Sequence, residues 1–175
     1  MTLRDLTWEK HKVAERSAFA QKLLSGNMSI ADYVNYLVQM GAIYRALEVK
    51  AREAKLFDSM DDLARAHKIQ QDILELAGED HGIVYIPETI EYVNFLKSLS
   101  DPKSIMAHIY VRHMGDLYGG QMIAKKVPGS GKFYQFKNKE KLIEEIRVFA
   151  TDDLAYDANI AFDYNINIMQ ALINE

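Results

Sequence analysis

Arg112-His113-Met114-Gly115-Asp116-Leu117-Tyr118-Gly119-Gly120-Gln121 sets three glycines and a carboxylate inside a stretch that otherwise has helical periodicity. Ile105, Met106, Ile109, Tyr110 and Val111 carry an apolar stripe into it, and Met122, Ile123, Ala124 and Val127 carry the stripe on until Pro128. The pattern predicts one long helix interrupted by glycine. Each interior glycine costs roughly 1 kcal/mol relative to alanine, so three cost about 2–3 kcal/mol. At about 100° per residue Gly115 and Gly119 lie about 40° apart, giving a helix face without side chains, flanked by Asp116. Such a face serves either close packing of a second helix or a flat ligand lying against the backbone.

His11 is the second residue with chemical potential. It sits in a segment from Leu3 to Leu24 whose apolar positions Leu3, Leu6, Val13, Phe19, Leu23 and Leu24 predict an amphipathic helix, with Glu15 one turn after the histidine. One histidine cannot hold a bare zinc, which needs four ligands. It suffices for haem, where the porphyrin supplies four nitrogens. The other reading is a surface or core histidine with no metal. His67, His81, His108 and His113 show no zinc-type pairing.

Two segments carry a family resemblance. Leu3-Arg4-Asp5-Leu6-Thr7-Trp8-Glu9-Lys10-His11-Lys12-Val13-Ala14-Glu15 resembles the proximal helix of the haem oxygenases, and Ala107 through Gln121 resembles their distal helix, the family's most specific signature. The likeness runs over nearly the whole chain and ends with Phe162, Asn165 and Met169 in the last helix. It implies an all-α, single-domain haem oxygenase-like bundle over residues 1–175, with haem sandwiched between the first helix and a glycine-kinked distal helix.

The resemblance implies oxygen-dependent opening of haem to biliverdin (the IXα isomer expected), carbon monoxide and ferrous iron. Haem would be cofactor and substrate, and electrons would come from an external donor. His11 would be the proximal iron ligand, with Glu15 near it to hold the ring. Gly115 and Gly119 would lie over the opposite haem face, and Asp116 would order the water that delivers protons there. Arg4, Tyr110 and Arg147 match residues at the propionate edge, where cations set how haem is turned. Phe162, Asn165 and Met169 match residues lining the haem edge, and Arg112 and Gly120 belong to the distal signature as further haem-binding positions.

This chain departs from the family at three places. Ile143 stands where many members carry a second lysine four residues before the arginine, Tyr118 replaces a small residue before the glycine pair, and His113 replaces a tyrosine. Tyr118 is bulky enough to crowd the haem or move the distal helix. Two other functions use parts of the same pattern. A module that stores haem without degrading it would use His11 and the glycine helix but has no need of Asp116. The thiaminase-like enzymes of similar fold use a cysteine nucleophile, and the chain has no cysteine.

The elements that must position these residues are helical. The 175 residues are 49% apolar and 10% aromatic with only three prolines, which suits one compact domain with a substantial core. Ser29 with Asp32 predicts a helix to about Lys55, and Ser59 opens a segment to Gly78. Pro87 starts a helix through Leu99, and Asp101-Pro102 starts the glycine-bearing one. Pro128-Gly129-Ser130-Gly131 is a loop, and two helices follow over Lys139–Phe149 and Asp152–Ile173.

Without cysteine there is no disulfide framework. Charges at Arg4, Asp5, Glu9, Lys10 and Lys12 argue against a secretory signal, and the longest uncharged run, Tyr33 to Tyr44, has 12 residues, too short to span a bilayer. A cytoplasmic location away from membranes is expected. Net charge is −4, yet residues 125–141 hold six lysines against Glu140 alone, a local charge of +5. Such a patch is either a solvated loop or a docking surface for an acidic donor. Resemblance makes ferredoxin or another reductase the expected partner, with a bilin reductase downstream. Nucleic acid is a weaker fit for an acidic chain without a base-stacking motif.

Overall fold

In the computed structural model, residues 1–174 are described, and those in regular elements are helical. A capping box starts α1 (Leu3–Glu15): the Thr2 hydroxyl accepts from the Asp5 amide while the Asp5 carboxylate accepts from the Thr2 amide. The expected single helix from Leu3 to Leu24 is two. Ser17 adopts an extended conformation and its hydroxyl accepts from the Ala20 amide, so the chain turns and restarts as α2 (Ala18–Leu24). The turn redirects Phe19 and Leu23 into the core, where both are 2% exposed.

Ser29 caps α3 (Ile30–Glu53), the central helix. Its uncharged run is buried nearly all round, as a helix packed on several sides requires. The following helix starts later than Ser59 suggests. After a 3-10 turn at Asp61–Leu63, α4 (Ala66–Ala77) begins where the Glu48 carboxylate of α3 accepts the amides of Arg65 and Ala66. A side chain from another helix does the capping, which no local pattern announces.

Pro87 and Pro102 take the first positions of α5 (Pro87–Ser98) and α6 (Pro102–Leu117), the latter capped by Asp101. The glycine-bearing helix does not run on to Val127. It breaks at Tyr118 (φ −105°, ψ −80°) and resumes as the single turn α7 (Gly119–Ile123). After the loop come α8 (Lys139–Phe149) and α9 (Ala155–Ile173), the latter preceded by a 3-10 turn at Asp152–Leu154.

α9 organises the site. Both α1 and α6 lie extensively against it and scarcely meet one another, which leaves a slot between them floored by α9. The Lys10–Asp163 ion pair and the Asn159 side chain donating to the Leu6 carbonyl (3.3 Å) fix α1 on this floor. Among the described residues no helix is long and apolar enough to cross a membrane.

Candidate functional site

His11 is half-buried on α1, between the Trp8 ring (5.2 Å between centroids) and the edge of Phe162 on α9 (5.9 Å). Neither ring nitrogen is engaged in a hydrogen bond among the described residues, which leaves both available to a ligand. Glu15 is exposed and makes no hydrogen bond to the histidine. What holds the imidazole is therefore aromatic packing, and not the carboxylate one turn on.

Across the slot, a Cβ built on Gly115 or Gly119 would meet nothing within 4 Å outside its own helix. These two positions are bare surface facing open space, which rules out close helix packing as their use. Gly120 differs. A Cβ there would stand 2.6 Å from the Tyr134 ring, so its missing side chain accommodates a buried aromatic rather than a ligand. Gln121 completes the joint by donating to the Asp116 carbonyl (3.1 Å) and the Tyr134 carbonyl (2.8 Å). Gly120→Ala is expected to destabilise the haem-free protein by roughly 1–3 kcal/mol, because the stacked Tyr134 ring has nowhere to move. The readout is a melting temperature lowered by about 2–10 °C. An unchanged value would show that the ring yields freely.

Asp116 is buried just behind the bare face. Its carboxylate accepts the Tyr44 hydroxyl from α3, and burial lifts its pKa to about 7 despite that bond and the nearby Arg112 and Arg65 charges. A carboxyl poised there exchanges protons near neutral pH. Arg112, one turn earlier, is enclosed by α3, α5 and α9. It contacts Met40 Sδ (3.1 Å) and Asn165 Oδ1 (3.4 Å) and lies over the rings of Tyr44 (5.4 Å) and Tyr92 (5.6 Å). Its Nε and Nη1 are buried and have no hydrogen-bond partner among the described residues.

The remaining expected residues fall into two groups. Both the Arg4 and the Arg147 charges act on the Tyr110 hydroxyl of α6, whose pKa burial raises against them. Phe162 and Asn165 lie on the α9 floor. Met169 is half-buried further along α9, accepting from Ser17 and lining an open groove of about 640 Å³ on the side of α1 that carries Val13 and Arg16. The three departures are also resolved in space. His113 is core, packed on Tyr44 (5.3 Å) and Phe57 (6.1 Å) and pushed down to a pKa of about 3 by burial. Ile143 is core as well. Tyr118 leaves the glycine face clear and reaches out to Arg147 instead.

Several residues that shape the site carry no signal in a one-chain reading. Arg65 is 2% exposed, donates to the carbonyls of Phe133 (2.8 Å) and Gln135 (2.6 Å), and stacks 3.8 Å from the Phe136 ring. Asp72 accepts the amides of Lys132 (3.0 Å) and Phe133 (2.9 Å). Together they clamp the loop that puts Tyr134 against Gly120.

Residues 1–171 match the family model described as heme oxygenase. The chain is 28% identical to a heme oxygenase of Guillardia theta over 97% of its own length and 84% of the relative's. It is 27% identical to one of Rhodella violacea over 98% and 86%. Among solved structures, heme oxygenase-2 from Synechocystis sp. PCC 6803, in complex with heme and NO, superposes with a TM-score of 0.85 at 25% identity, covering 98% of this chain and 84% of that one. Heme oxygenase from Leptospira interrogans gives 0.84 at 25%, covering 98% and 100%.

Proposed function

This chain belongs to the haem oxygenase family, whose members are enzymes that degrade haem, and from that premise we propose how its own residues carry out the reaction. The observation that supports the reading most is the juxtaposition across one slot: a histidine with free ring nitrogens on α1, and on α6 a side-chain-free face backed by a buried carboxyl. Haem, when bound, supplies the iron that takes up dioxygen and the ring that is opened. His11 would hold the iron, with Phe162 and Trp8 setting the plane of the imidazole. Gly115 and Gly119 would leave the α6 side of the slot open for dioxygen.

Asp116 holds and releases the proton needed on that face, and Tyr44 keeps the carboxyl in place. Internal water held by Arg112 is the route by which the proton is replaced. Arg4, Tyr110 and Arg147 would hold the carboxylates of haem and so orient it, with the IXα isomer as the expected product. Residues 1–175 act as one cytoplasmic domain, and a bilin reductase takes the product. The test mixes purified protein with haemin, reduced donor and dioxygen. Loss of the Soret band with growth of the biliverdin spectrum is expected. A stable haem spectrum under turnover conditions would reduce the protein to a haem store.

Electrons come from an acidic ferredoxin or comparable reductase. Lys125, Lys126, Lys137 and Lys141 are exposed, and of the six lysines in this region only Lys141 is in an ion pair, with Glu145 (3.7 Å), among the described residues. Charge attraction across such a surface is screened over about 8 Å at physiological ionic strength. Ferredoxin-driven turnover is therefore expected to fall severalfold from low salt to physiological salt, and ascorbate-driven turnover to stay level. The same salt response in both assays would leave the lysines as a solvated surface.

A further inference from the structure

Tyr118 stands at the break between α6 and α7, half-exposed beside Gly119, and Arg147 projects from exposed α8. The Arg147 Nη2 atom lies 2.6 Å from the Tyr118 hydroxyl oxygen. A guanidinium can only donate, so the tyrosine oxygen is the acceptor. The hydroxyl's own hydrogen is then left without an acceptor, and Arg147 has no acidic partner among the described residues. The nearest acids along α8 do not answer it: Glu145 pairs with Lys141 (3.7 Å) and Glu144 is exposed. One turn before Arg147, Ile143 is in the core, so that position of α8 offers no cation beside the arginine.

A site with spare N–H and O–H donors, a positive charge and no acceptor is complementary to an anion with two acceptor oxygens. Tyr118 directly precedes Gly119, so the pair adjoins the bare glycine face. We propose that Tyr118 and Arg147 form a two-donor clamp for a carboxylate of the haem substrate. On this view the tyrosine supplies from the distal helix the donor that Ile143 cannot supply from α8. The inference rests on haem being the substrate. It makes the bulky residue at the break a binding group, positioned where the distal helix can be pulled towards α8.

The experiment measures the affinity of ferric haemin and of its dimethyl ester for the parent protein and for Tyr118→Phe, by absorbance titration without reductant. The variant keeps the ring and loses only the hydroxyl. For haemin, Tyr118→Phe is expected to bind about tenfold more weakly, as one charge-assisted hydrogen bond requires. For the dimethyl ester, whose carboxylates are capped, parent and variant are expected to agree within about twofold. Equal haemin affinity in the two proteins overturns the clamp while leaving haem binding intact. A parallel loss for haemin and ester also overturns it, since Tyr118 would then act only on the shape of the slot. Failure of the parent to bind haemin at all overturns the underlying reading and the clamp with it.

Discussion

His11→Ala is expected to remove the residue proposed to hold the haem iron and with it the enzyme's turnover. The variant should fold, because His11 is half-buried and its ring contacts among the described residues are with Trp8 and Phe162. α1 stays seated through Lys10–Asp163 and the Asn159 bond to Leu6, neither of which involves the histidine. Haemin then enters a slot whose walls are intact but whose iron lacks a protein ligand. The histidine-ligated spectrum should be lost, and biliverdin formation should fall about a hundredfold or more, equivalent to roughly 3 kcal/mol. Added imidazole should enter the vacated space and restore the spectrum, with part of the turnover. His108 and His113 of α6 are fully buried in the core, and His67 and His81 lie on α4 and in the loop before α5, so none of them stands in for His11. An unchanged spectrum would move the iron ligand elsewhere and break the reading of α1.

The elements around this site were legible to different degrees for physical reasons. Starts marked by a local device, such as Pro87, Asp101-Pro102 and Ser29, read directly, because the cap or the proline acts within one turn. Ser17 sits in an unbroken apolar period and so reads as helix interior; only the burial of Phe19 and Leu23 after the turn makes its capping role decisive. The start of α4 depends on Glu48 from another helix, and the shape of the α6–α7 joint depends on Tyr134 across the core. Such contacts are set by tertiary packing, which periodicity does not encode. In the site itself His11, Gly115, Gly119 and Asp116 were visible because their types are unusual where they stand. Tyr44, Gln121, Arg65 and Asp72 were not, since each resembles an ordinary helix residue until its partner is known. Glu15 and Gly120 differ from these: the motif suggests Glu15 as a support for the His11 ring and Gly120 as a haem-binding position, whereas Glu15 is exposed and makes no bond to His11, and Gly120 packs on Tyr134.

Asp116→Ala is expected to separate binding from chemistry. The axial ligand and the α9 floor are untouched, so haem should bind with nearly the parent's affinity. Biliverdin formation should fall by about 10²-fold or more, the usual contribution of a positioned acid or base. With the proton supply gone, oxidation of an added phenol in the presence of peroxide should rise instead, as the distal face becomes that of a peroxidase. Asp116→Asn should lose less, because the amide oxygen still accepts from Tyr44 and can hold water, although it cannot release a proton. The same pair of variants reports on the carboxyl's charge state. Burial raises the pKa to about 7 from the ordinary carboxylate value, so the fold favours the protonated form. That stabilisation is fully present below about pH 4 and is lost as pH rises through about 7. Asp116→Asn, which mimics the protonated group, should therefore melt higher than the parent above about pH 7 and close to it below about pH 4. Wild-type biliverdin production by Asp116→Ala would end the proton-carrier assignment, leaving the glycine face as a purely steric device. A melting difference independent of pH would show that the carboxyl is not the titrating group.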